Sequence, residues 1–118
     1  MAAKDVLGAR GEDLAADHLI GAGLQILDRN WRCSQGELDI VARDGGEIVF
    51  VEVKTRSSVL FGHPFESITS TKLARLRRLA AAWCEAHEIA AQAIRIDAVA
   101  VIVPLRGVVE IELLKRIS

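Results

Sequence analysis

Residues 36–54 read Gly36-Glu37-Leu38-Asp39-Ile40-Val41-Ala42-Arg43-Asp44-Gly45-Gly46-Glu47-Ile48-Val49-Phe50-Val51-Glu52-Val53-Lys54. Two apolar runs meet at a Gly-Gly pair, which predicts a hairpin with strands over Glu37–Ala42 and Glu47–Arg56. With Gly45 and Gly46 as a two-residue loop, Asp44 pairs with Glu47 and Asp39 falls directly across from Glu52. Period two then sets Glu52 and Lys54 on one face of the second strand and Val53 on the other. Two carboxylates at adjacent cross-strand positions repel unless a positive charge lies between them. A divalent cation that prefers oxygen ligands, Mg²⁺ or Mn²⁺, meets that need, and a lysine beside it suits phosphodiester hydrolysis. The plainer alternative is a pair of charges on the wet face of a hairpin.

The rest of the chain is ordered around this hairpin. Ile48 to Val51 is apolar on both faces, as in a strand at the middle of a sheet covered by helices. Before it, Ala3 to Ile20 carries Val6, Leu7, Leu14 and Leu19 near helical spacing, with Gly21 and Gly23 ending the helix. Gly8 and Gly11 weaken that helix, which points to close packing against a neighbour or beside a ligand. Leu24 to Arg29 predicts an outer strand, followed by Asn30, Trp31 and Arg32. Ser57 to Ser70 reads as a loop. A second helix is predicted from Thr71 to Glu88, with Leu73, Leu76, Leu79, Ala80 and Trp83 inward and Lys72, Arg75 and Arg78 outward. Strands over Ala93–Val103 and Val108–Leu114 follow, joined at Pro104-Leu105-Arg106-Gly107. The expected order is αβββαββ, an α/β fold with a mixed central sheet flanked by helices, in a single domain over residues 1–118.

Composition narrows the function classes. With 51% hydrophobic and 26% charged residues, the chain is expected to fold rather than stay disordered. The net charge of -1 provides no global attraction to nucleic acid, so any basic surface is local. Two cysteines, Cys33 and Cys84, make neither a disulfide framework nor a metal knuckle. Reduced thiols and the lack of a secretory signal lead us to expect a cytoplasmic protein. No apolar run reaches the length of a membrane span. Three Phe, two Trp and no Tyr argue against base stacking as the main binding mode.

Asp39 and Glu52 are the candidate carboxylate ligands, with the Val53 backbone carbonyl as a further oxygen. Lys54 is placed to orient water or stabilise negative charge; neighbouring carboxylates favour its charged form, and so an electrostatic role over that of a base. Glu12, between small residues on the first helix, is the best third carboxylate, although a solvated helix glutamate reads the same way. Arg56 should share the Lys54 side. Arg29 and Arg32 bracket the entry to the hairpin, and Lys72, Arg75 and Arg78 line one helix face suited to phosphate contacts. A solvated helix face explains the last three equally well. Arg95 and Asp97 alternate onto one strand face as either an ion pair or a substrate contact. His18, His63 and His87 share no ligand spacing, and Trp31 and Trp83 read as packing residues.

Several motifs together resemble a known family. They are Gly8-x-x-Gly11-Glu12-x-x-Ala15, Asn30-Trp31-Arg32, Gly36-Glu37-Leu38-Asp39-Ile40-Val41 and Phe50-Val51-Glu52-Val53-Lys54-Thr55-Arg56. Phe61-Gly62-x-Pro64, Thr69-x-x-Lys72 and Arg95-Ile96-Asp97 complete the set. The chain resembles, over nearly its whole length, the bacterial YraN-like group of uncharacterised predicted endonucleases. That resemblance implies a restriction-endonuclease-like core, similar to archaeal Holliday-junction resolvases. It implies a nuclease site on Glu12, Asp39, Glu52 and Lys54. The expected function is therefore metal-dependent endonucleolytic hydrolysis of DNA, with branched DNA as one substrate class. Paired cuts in two strands are easiest with two sites acting together, which makes a symmetric homodimer one expected assembly. The alternative is a nucleic-acid-binding accessory module without catalysis.

Overall fold

The structure, a computed structural model, describes residues 3–90 and 93–118. The Gly-Gly hairpin forms as expected. Strand β2 (Gly36–Asp44) turns into β3 (Glu47–Arg56), Asp44 pairs with Glu47, and the antiparallel ladder runs to Ile40 opposite Val51. Gly45 takes φ +59°, the left-handed value that a tight hairpin turn needs at its first position.

Helix α1 (Ala3–Gly21) precedes the edge strand β1 (Gln25–Cys33), which pairs antiparallel with β2. Beyond β3 come a short 3-10 turn, Pro64–Ser67, and helix α2 (Ser70–Ala86). Strand β4 (Ile94–Ile102) then returns parallel to β3, and β5 (Glu110–Leu114) closes the sheet antiparallel to β4. The sheet order β1-β2-β3-β4-β5 puts β3 at the centre, where its apolar faces demand cover on both sides. This is the mixed α/β sheet with flanking helices expected from the sequence, a restriction-endonuclease-like core.

Each helix covers one face. Ala15, Ala16 and Leu19 of α1 pack on Val49, Val51, Val53, Val99 and Val101; Leu76, Leu79, Ala80 and Trp83 of α2 pack on Val41, Ile48, Phe50 and Ile96. A Cβ on Gly11 would meet the Thr55 hydroxyl at 1.9 Å, so only glycine lets α1 approach β3 this closely. Gly8 has open space around its would-be Cβ and lines a cleft instead.

Three boundaries differ from the sequence reading. Asn30, Trp31 and Arg32 continue β1 instead of leaving it. The last strand begins at Glu110 rather than Val108, and α2 ends at Ala86, with Glu88 at φ +54° just beyond. The β1 difference has a local cause. A register shift between Ile26 and Asp28 adds one residue against β2, and Asn30 takes φ +53°, a value asparagine tolerates better than most residues. These two irregularities keep the strand paired to Cys33 while swivelling its side chains.

Arg95 and Asp97 prove to be a structural pair. Asp97 is fully buried and Arg95 is 5% exposed; the guanidinium also reaches Asp44 at 2.8 Å and Glu47 at 3.1 Å. This network ties the Gly-Gly hairpin to β4. His63 is likewise structural: its Nδ1 accepts from Phe65 N–H at 3.0 Å, and its Nε2 lies 2.8 Å from Glu112 on β5. Trp83 is buried edge-on to Phe50 and donates its indole N–H to Asp28 at 2.9 Å. Among the described residues no helix is long and apolar enough to cross a membrane.

Candidate metal centre

The hairpin ladder stops at Ile40 opposite Val51, and the site begins there. Continued by two positions, the register would set Leu38 against Val53. Instead, the Val53 N–H donates to Asp39 Oδ2 at 2.8 Å. The neighbours of Asp39 show the accompanying swivel. Leu38 packs on the α2 side and Ile40 on the α1 side, although residues two apart in a regular strand share a face. Asp39 thus holds its carboxylate at the opening between β2 and β3. The N–H and C=O of a strand residue point to the same neighbour, so the Val53 carbonyl faces this opening as well.

Two more carboxylates reach the same point. Glu12 comes from α1, one residue past the glycine that lets the helix approach, and Glu37 comes from β2. One oxygen from each of Glu12, Glu37 and Asp39 lies within 4.8 Å of the others. Glu37 is not among the ligands expected from the sequence. A signal for it exists, because Glu37 and Asp39 stand two positions apart on a strand, the spacing at which side chains share a face. Asn30 is a second addition. With its amide nitrogen turned to the acids, it donates to Glu37 Oε1 at 3.1 Å and to Glu12 Oε1 at 3.1 Å.

Glu52 and Lys54 lie on the other face of β3, the Phe50 face, as period two requires. Lys54 Nζ contacts Glu52 Oε1 at 3.1 Å, and both side chains are mostly buried. Glu52 is nevertheless part of the same electrostatic unit as Asp39. Burial first, and then the Glu52 charge, push the Asp39 carboxyl up to about 8 from an ordinary 3.8. Burial likewise raises Glu12. The Glu12 charge also adds to the cost of ionising Asp39, because their oxygens are crowded together at the opening.

That arrangement fits a hard divalent cation. The ligand atoms are all carboxylate oxygens, they converge on a cleft of about 880 Å³, and their mutual repulsion is what a cation would relieve. Glu12, Glu37, Asn30, Asp39, Val53 and Lys54 all line this cleft, and so does Arg56.

The basic residues divide into two groups. Arg29 Nη2 pairs with Asp13 at 2.8 Å and Arg32 Nε with Glu37 at 3.2 Å, so both are already engaged on the acidic side. Arg56 is exposed on the cleft. On the other face, Lys72 near the start of α2 sits close to Lys54, whose charge holds the Lys72 ammonium below its ordinary value. Arg75 and Arg78 are exposed further along the same helix. Lys54, Lys72, Arg75 and Arg78 therefore form a track leading away from Glu52 along α2.

Comparison with known proteins identifies the family. The model of the "Uncharacterised protein family UPF0102" matches residues 11–101, which include the helix glutamate, the hairpin and the Glu-x-Lys strand. The chain belongs to that family, the YraN-like group indicated by its motifs. Similar proteins described as "UPF0102 protein" occur in Arthrobacter sp. (strain FB24), 54% identical over the full length of both chains, and in Beutenbergia cavernae, 55% identical over both. A further one from Frankia alni is 51% identical, covering 98% of this chain and 96% of its own.

Proposed function

We propose that the protein is a metal-dependent DNA endonuclease whose centre is the carboxylate group at the β2–β3 opening. One observation carries this reading: Asp39, crowded by Glu12, Glu37 and Glu52, lines the same cleft as Lys54 and Arg56. Glu12, Glu37 and Asp39, with the Val53 carbonyl beside them, would hold Mg²⁺ or Mn²⁺, while Glu52, expected as a ligand, stands on the Phe50 face beside Lys54. When bound, the ion supplies Lewis acidity and lowers the pKa of water.

The chain's own groups do the rest. Asn30 donates to Glu12 and Glu37 and keeps both turned toward Asp39. The Val53 N–H fixes Asp39. Glu52 contacts Lys54 Nζ at 3.1 Å and orients it to stabilise negative charge developing on a phosphate oxygen. Arg56 positions the incoming phosphate at the cleft, while Lys72, Arg75 and Arg78 contact the backbone beyond it without reading bases. Arg29 and Arg32 reduce the repulsion a phosphate meets at the acidic wall. In-line attack in such a site leaves a 5′ phosphate and a 3′ hydroxyl. Branched or distorted DNA suits a centre divided between two faces of a sheet end, since a duplex arm must open around it.

The test separates chemistry from binding. Purified protein with Mg²⁺ or Mn²⁺ is offered duplex, single-stranded, flap, fork and four-way-junction DNA. Lys54→Ala is expected to keep most DNA binding and lose at least about 100-fold in cleavage, the scale of one lost charge-stabilising group. Arg75→Ala and Arg78→Ala are expected to weaken binding across all substrates and to lower its salt slope by about one each. Binding without cleavage of any substrate would replace this reading with that of an accessory nucleic-acid-binding module.

A further inference from the structure

Val59-Leu60-Phe61-Gly62 is a hydrogen-bonded turn, closed by Gly62 N–H to Val59 O at 3.1 Å. Turn corners usually carry Gly, Pro, Asn, Asp or Ser. Here the two corners are Leu60, 84% exposed, and Phe61, wholly exposed. Gly62 takes φ +108°, a value that favours glycine, and the next residue, His63, contacts Glu112 on β5 at 2.8 Å. Two large apolar side chains are thus displayed on a turn anchored to the sheet.

The β4–β5 connection does the same beside it. Leu105 is wholly exposed and Val108 is 83% exposed. The two segments share a groove of about 330 Å³ in which Val59 and Leu60 face Pro104 and Val108. Among the described residues, most of the exposed large hydrophobic side chains fall on these two segments, so they form a patch of the kind that marks an interaction surface.

The charges around the patch indicate what covers it. Glu66, Glu110 and Glu112 border it, and three carboxylates oppose a phosphate backbone. Arg106, at the tip of the connection, has no ion-pair partner among the described residues, and neither has Glu110 at the groove wall. An apolar centre with one free cation and one free anion at its edge is complementary to itself under two-fold rotation.

We propose that a second copy of this chain covers the patch, forming a two-fold homodimer centred on Phe61 and Leu105. Arg106 of each protomer meets Glu110 of its partner. Ser57 lines both the groove and the carboxylate cleft, so the interface adjoins the cleft and the two clefts belong to one assembly. The inference stands on the patch and does not depend on nuclease activity.

Sedimentation or light scattering of the full chain over a concentration series, without DNA, tests it. Wild type is expected to reach twice the 12.8 kDa chain mass at micromolar concentration. Phe61→Asp, at a site open to solvent, is expected to weaken dimerisation at least about tenfold, with an unchanged far-ultraviolet circular dichroism spectrum reporting that it folds. Arg106→Glu and Glu110→Arg should each weaken it, and the double exchange should restore it, which a merely structural role would not do. Wild type remaining at the monomer mass up to millimolar concentration would overturn the proposal. So would a dimer indifferent to all three substitutions, or a Phe61→Asp variant that loses only DNA binding.

Discussion

At the scale of single residues, Asp39 makes the sharpest claim about pH. Its carboxyl is pushed up to about 8 in the folded chain from an ordinary 3.8. Between those values the folded state holds a proton that the unfolded state has released, so stability falls as pH rises through this window. Without added metal, the melting temperature is expected to drop by at least roughly 5 °C from pH 5 to pH 8. Asp39→Asn should remove most of that drop, because its amide oxygen still accepts from Val53 and its amide nitrogen donates to Glu12. Thermal melts of both proteins at the two pH values check it; parallel slopes would mean that Asp39 is not the titrating group. Asp39, Glu12 and the Glu52–Lys54 pair are legible in the sequence as pattern residues. Glu37 and Asn30 do not stand out in the same way. Glu37 shares the two-residue spacing of Asp39, but its convergence with Glu12, like the turn of Asn30 toward the acids, is set by the tertiary approach of α1 and β1, which spacing does not report.

At the scale of elements, the order αβββαββ and the central place of β3 follow from hydrophobic periodicity, because a strand apolar on both faces admits only a covered position. Gly11 is correctly legible as a close approach, while Gly8 borders open space. The continuation of β1 through Asn30 to Cys33 is hidden, since a bulge and a positive φ hold it in register against its propensity. The ends of the sheet depend on different forces. At the hairpin end, Arg95 joins Asp44, Glu47 and the fully buried Asp97. Removing the guanidinium would leave Asp97 buried with only the Arg116 N–H, at 2.9 Å, as compensation. Arg95→Ala is therefore expected to destabilise the fold by about 3–5 kcal/mol, as for other broken buried pairs. A denaturant midpoint unchanged from wild type would contradict that assignment. At the opposite end of the hairpin, Glu12, Glu37 and Asp39 crowd together, and burial and neighbouring charge raise the Asp39 carboxyl.

At the scale of the whole molecule, a net charge of -1 conceals a sharp internal division. Carboxylates gather at the β2–β3 opening, the basic track runs along α2, and the apolar patch lies on the two segments beside the cleft. The acids and the basic track are legible in the sequence as residue patterns. The patch reads there only as loop, because exposure is decided by what the surrounding chain fails to cover. Association with DNA is accordingly expected to be local and salt-sensitive rather than driven by overall charge. The central claim is that the carboxylate opening is a metal-dependent cleavage centre. The direct measurement is the single-turnover cleavage rate of a DNA substrate as Mg²⁺ or Mn²⁺ is titrated, for wild type and Asp39→Asn at matched DNA occupancy. Wild-type cleavage is expected to rise with the ion and vanish with chelator, while Asp39→Asn falls at least about 100-fold at every ion concentration. Cleavage by wild type that persists in chelator, or an Asp39→Asn rate equal to wild type, would contradict it.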